Sequence, residues 1–154
     1  MDYRAGAGRA ADSGHEVPAV ITLDQYFGPY CQHPDASAGK WAIADLMLDR
    51  VNSLLKAAEE CGVPLHINPK TKSQVSGIEN GGFRPNDCST GAPLSKHKQG
   101  HAVDVYDPDE QLDRWITDDL LATFELWREA PEATLGWVHL QDVPPKSGRR
   151  TFKP

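Results

Sequence analysis

Three residues in this chain have the types and the surroundings to hold a metal ion: His97, Asp104 and His139. Histidine and aspartate are both zinc ligands. The segment Ser95-Lys96-His97-Lys98-Gln99-Gly100-His101-Ala102-Val103-Asp104 sets one of each seven residues apart. On a helix that separation is about 10.5 Å of rise with near-parallel side chains, and on a straight strand it is about 23 Å. Neither lets the two side chains share an ion. They converge only if the chain turns between them, and Gly100 lies in the interval to supply the bend. Asp104 then lies on the strand that leaves the turn. His139, in the β-prone run Gly136-Trp137-Val138-His139-Leu140-Gln141, supplies a third ligand. Two strands of one sheet can present Asp104 and His139 side by side. Three protein ligands leave the fourth position of a tetrahedral zinc site to water, which is the catalytic arrangement.

The other candidates have plainer readings. His101 forms a His-x-x-x-His pair with His97, as on zincin helices, but Gly100 lies inside the pair and Lys98 stands where a Glu is needed. His66 falls in the short apolar run Leu65–Asn68 and reads as a strand residue; His15 and His33 fall in arm or loop and read as solvated. Asp107, Asp109, Glu110 and Asp113 lack the twelve-residue calcium loop and read as a solvated helix start. Cys31, Cys61 and Cys88 are odd in number, widely spaced and without a CxxC pair, so they read as reduced thiols. Trp137 reads as packing rather than as a stacking platform.

The run from Ser95 to Asp104 matches SxHxxGxAxD at Ser95, His97, Gly100, Ala102 and Asp104, and so resembles the M15 zinc peptidases. These are D-Ala-D-Ala carboxypeptidases and dipeptidases, and phage L-alanyl-D-glutamate endopeptidases. Trp137-Val138-His139 is similar to their second motif, which ends in the third zinc ligand. Gly82-Phe83-Arg84 is similar to a Gly-Tyr-Arg stretch whose Arg holds a substrate carboxylate. Pro144-Pro145-Lys146-Ser147-Gly148-Arg149-Arg150 resembles a phage-borne subgroup. The resemblance implies a hedgehog/DD-peptidase-like fold and a peptidoglycan stem peptide as substrate. It implies Arg84 and Ser95 as substrate-binding residues, although Ser95 also reads as a brace for the ligand loop. In the family an acid stands three residues before the last His, and here that position is Gly136. Glu129 and Glu132 are the nearest upstream carboxylates and are the candidates for general base; Pro131 can turn the chain so that Glu129 aims at the site. The rival expectation is a zinc-binding structural or wall-binding virion module that has lost its base.

These residues need a scaffold. Ile43, Met47, Val51, Leu54, Leu55 and Ala58 recur at three- and four-residue steps and predict a helix over Lys40–Cys61, stopped by Gly62 and Pro64. Strands are expected at Leu65–Asn68, His101–Tyr106 and Gly136–Gln141, and short helices near Glu110–Ile116 and Asp118–Trp127. Between Gly77 and Pro93 glycines and prolines punctuate a long irregular segment, the kind of loop that carries function. The expected architecture is α+β, a small antiparallel sheet with helices on one face. Residues 1–18, without apolar periodicity, read as a flexible arm, and 19–154 as one zinc peptidase-like domain.

With 154 residues the chain can bury one core. A net charge of −6 gives no general attraction to nucleic acid or anionic membranes, although Lys146, Arg149, Arg150 and Lys153 make the C-terminal end basic. No apolar run reaches the length of a membrane span, and no secretory signal is read at Met1-Asp2-Tyr3-Arg4. The expectation is synthesis in the cytoplasm and action at the bacterial wall or in a phage virion, with virion proteins as possible partners.

Overall fold

The structure is a computed structural model that describes residues 20–92 and 94–154. The arm expected over residues 1–18, with His15, lies outside the described residues.

A short helix α1 (Leu23–Phe27) opens the chain, closed at its start by a reciprocal capping box between Thr22 and Gln25. The long helix α2 (Ala38–Glu60) follows, capped by the Ser37 hydroxyl and ended before Gly62, whose φ of +85° only glycine adopts freely. One turn of helix, α3 (Lys96–Gln99), precedes β1 (Ala102–Tyr106); α4 (Gln111–Trp115), α5 (Asp118–Thr123), β2 (Trp127–Glu129), β3 (Trp137–Gln141) and β4 (Thr151–Phe152) complete the order. The sheet runs β1-β3-β2-β4. The result is a small α+β fold.

Strand alternation divides the sheet's labour. Val103, Val105, Val138 and Leu140 are buried with Ala44, Met47, Val51, Leu54, Leu55 and Ala58 of α2 in one core cluster. Asp104 and His139 point to the other face. Both therefore sit on a slab anchored by the main core helix.

Three expectations about the elements need correction, and a fourth concerns Asp107 and Asp113, expected in a solvated helix start but buried at 1% and 4% exposure. The sheet is mixed, because β4 pairs with β2 in parallel. After β3 the chain reverses and lands beyond β2, so β4 runs against β3 and with β2. The helix expected over Asp118–Trp127 stops at Thr123: Glu125 takes a left-handed conformation (φ +58°), and Trp127 already belongs to β2. Leu65–Asn68 forms no strand, only a single bridge from Asn68 to Ser73. The Asn68 side chain accepts from the Lys70 N–H and donates to the Ser76 carbonyl, which favours a turn over a ladder. His66 instead pairs with Asp109, at 2.9 Å.

Candidate metal centre

Asp104 and His139 are direct cross-strand partners on β1 and β3, so their side chains leave the sheet together. His97 arrives from α3. The Ser95 hydroxyl accepts the His97 N–H at 3.2 Å and so caps the turn. Gly100 ends it at φ +85°, and a Cβ there would lie 3.1 Å from the Lys40 carbonyl of α2. This is the bend the seven-residue spacing requires. His101 falls beyond the bend and pairs with Asp142 at 2.7 Å, so it shares no helical face with His97.

Each ring has one nitrogen committed elsewhere. His97 Nδ1 donates to the Gly82 carbonyl (2.8 Å), which leaves Nε2 3.2 Å from Asp104 Oδ1. His139 Nε2 donates to Gln141 Oε1 (2.8 Å), and its Nδ1 lies 2.9 Å from the same Asp104 oxygen. The Gln141 amide is itself fixed, because its NH₂ donates to the Val143 carbonyl. Hydrogen bonds of this kind set tautomer and ring orientation in metal sites.

All three ligand atoms lie within 4.8 Å of one another, on residues only 2%, 7% and 7% exposed (His97, Asp104 and His139). The cluster can hold a metal ion. With His97 Nδ1 and His139 Nε2 committed elsewhere, the two remaining ring nitrogens meet one Asp104 oxygen, an arrangement that needs a proton or a metal cation at each contact. Burial alone would raise Asp104, but the charge and hydrogen bonds of His97 and His139 hold its carboxyl well below the usual range. Burial would lower His139, and the Asp104 hydrogen bond and charge outweigh it and raise it. The donor set is therefore built around positive charge, and it fits a divalent metal.

The three ligands line a cavity of about 410 Å³ together with Arg84, Ser95, Trp137 and Glu129. Arg84 is buried; its Nε donates to the Asn80 carbonyl at 2.8 Å and an amino group lies 3.5 Å from Asp104 Oδ2. Glu129 comes from β2. The pairs Trp127↔Gln141 and Arg128↔Leu140, continued by one residue, set Glu129 opposite His139. Its half-buried carboxylate makes no hydrogen bond or ion pair among the described residues, and its charge contributes to the raised pKa of His139. Glu132 lies in the 3-10 turn Pro131–Ala133 and lines a different cavity, with Arg149 and Lys153. Of the two carboxylates named from the sequence, only Glu129 enters the metal cavity. Gly136 adopts φ +91°, a conformation that strains any side chain, so the position where the resemblance expects an acid is here a turn.

Sequence reasoning missed what Gly82, named only as part of the stretch before Arg84, and Gln141 do for the two histidines. Gln141 was within reach, since two residues beyond His139 on a strand is the same face. Gly82 carried no such signal, because it acts through its carbonyl. Compared with protein-family models, with curated proteins and with solved structures, the chain has no match in any of the three.

Proposed function

We propose that the chain is a zinc-dependent peptidase that cleaves peptidoglycan stem peptides, at the bacterial wall during lysis or wall penetration by a phage. The observation that carries this reading is the convergence of His97, Asp104 and His139 with Arg84 and Glu129 in one cavity. Two histidines and one carboxylate form a donor set suited to catalytic zinc, with room for a further ligand. Zinc bound there would polarise a carbonyl and make water more acidic. The chain's own residues supply the rest. Arg84, planar and held by Asn80, pairs with a substrate carboxylate and aligns the amide. The Glu129 carboxylate takes a proton from the attacking water as the new C–O bond forms, and passes it to the leaving amine nitrogen as the C–N bond breaks. Gly82 and Gln141 keep the two histidines aimed inward. The peptidoglycan assignment comes from the motif resemblance, and the hydrolytic chemistry from the site.

The test is a pair of substitutions in zinc-loaded protein. Glu129→Gln should lower hydrolysis of purified wall or stem peptides by about 10²- to 10⁴-fold, the usual contribution of a general base, with zinc content unchanged. Glu132→Gln should leave the rate alone. If wild-type protein releases no new amine from wall over many hours, the peptidase reading fails. A zinc-stabilised structural or wall-binding module then takes its place.

A further inference from the structure

The basic C-terminal end is a sequence feature that the metal centre leaves without a role. Of the chain's 16 Lys and Arg residues, Lys146, Arg149, Arg150 and Lys153 fall in its last nine positions, which hold no Asp or Glu. The other twelve share the rest of the chain with 22 acids. Arg150 is spent within the fold: it donates to the Leu126 carbonyl at 3.0 Å and lays its guanidinium 4.1 Å over the Trp127 ring. Lys146, Arg149 and Lys153 are exposed, and their side chains make no hydrogen bond or ion pair among the described residues.

The backbone that carries these three cations is fixed. The Gly148 N–H donates to the Pro145 carbonyl, and the Arg149 N–H to the Ser147 hydroxyl. Arg128 N–H donates to the Arg150 carbonyl and Ala130 N–H to the Phe152 carbonyl, at 2.8 and 2.7 Å. The Thr151 hydroxyl accepts from Arg128 Nε and donates to Asp118. Arg149 and Lys153 line one cavity of about 450 Å³, with the Ser147 hydroxyl and the apolar surfaces of Pro131 and Phe152. Four residues apart, they stand no more than about 14 Å from each other along the chain. Glu132 is the one acid that lines this cavity. Like charges held together on a fixed backbone repel, and an anion relieves the repulsion. Lys146 lies outside the cavity, so the positive surface is longer than one small ion and suits an elongated one. The acids of the rest of the chain repel a nucleic-acid duplex, whose phosphates come one per about 1.7 Å. Pro131 and Phe152 offer apolar contact to the carbons of a sparser polymer.

We propose that Lys146, Arg149 and Lys153 form a docking surface for a linear polyol-phosphate polymer, with its phosphates on the cations and its carbons against Pro131 and Phe152. The surface works whether or not the metal centre hydrolyses peptides. The probe is fluorescently labelled poly(glycerol phosphate), followed by anisotropy against the full chain as salt rises from about 50 to about 200 mM. Each phosphate contact on a single-stranded polyanion contributes roughly 0.7 to the fall of log K with log salt, so three cations should give a slope of about −2. Lys146→Gln, Arg149→Gln and Lys153→Gln should each weaken binding by about fivefold and flatten the slope by about 0.7, with the melting temperature unchanged. Arg149→Lys should keep the wild-type slope. Glu132→Gln, which removes the acid from the cavity, should tighten binding, a change of sign that damage to the fold does not produce. No binding at the lowest salt, or unchanged affinity when all three cations are replaced together, overturns the proposal. Tighter binding of duplex DNA or of poly-glutamate at equal charge concentration also overturns it, and assigns the surface to nucleic acid or to an acidic protein. Polymer binding without hydrolysis of stem peptides sinks the peptidase reading alone.

Discussion

At the scale of single residues the candidate centre depends on groups outside the three that could hold a metal. Gly82 offers its carbonyl to His97, and a Cβ at Gly82 would lie 2.0 Å from the Tyr26 carbonyl oxygen. Gly82→Ala must therefore push α1 and the Gly82 carbonyl apart and release the His97 ring. Gln141→Ala removes the acceptor that holds His139. Each should weaken zinc binding by about 10- to 100-fold, the usual effect of losing such a partner. Competition against a chromogenic chelator reads this directly, and unchanged affinity in both variants would show that the ligands orient themselves. The convergence of the three side chains was legible because residue type and the Gly100 bend leave so few ways to bring His97 and Asp104 together. Choosing between Glu129 and Glu132 was harder. That choice hangs on a strand of three residues, too short for any periodicity to declare it.

Elements differed in legibility for the same reason. Helix α2 shows about four turns of apolar repeat, and β1 and β3 each alternate over five residues; all three stand within two residues of their expected limits. β2 and β4 exist only through their partners, so pairing outranked the local preference that extended α5 to Trp127. β2 is also held from behind. Arg128 donates to Asp113 Oδ1 and to the Asp113 carbonyl, and the Asp107 carboxylate accepts the N–H groups of Leu112 and Asp113. Burial pushes the Asp113 carboxyl up to about 6, against the pull of Arg128 and with help from Asp107 and Glu110. A raised carboxyl makes the folded chain bind more protons than the unfolded one between 3.8 and about 6. Over that window this group's contribution to stability falls as pH rises. Denaturant melts at a series of pH values should show that slope in wild type and lose it in Asp113→Asn; an identical slope in both would remove Asp113 as its source.

For the molecule as a whole, none of the described helices is long and apolar enough to cross a membrane, and one core cluster joins the helices to the sheet. A metal that binds the folded state alone adds its binding free energy to folding. At free zinc a hundredfold above the dissociation constant that is about 2.7 kcal/mol. Zinc should raise the melting temperature and a chelator should reverse the rise, whereas His97→Ala, Asp104→Ala and His139→Ala should each melt at one temperature with or without zinc. A ligand variant that still responds would relocate the site. Asp104, His139, Glu129 and Phe152 form a single transverse row, one residue from each strand in the order β1, β3, β2, β4. A strand that slips by one position turns its member of the row to the opposite face. Only the native alignment of β1 on β3 sets Asp104 beside His139, so a bound ion would favour that pairing during folding. Misaligned sheets would forfeit its binding energy, and refolding with zinc present should give a higher yield of correctly paired protein than adding zinc afterwards.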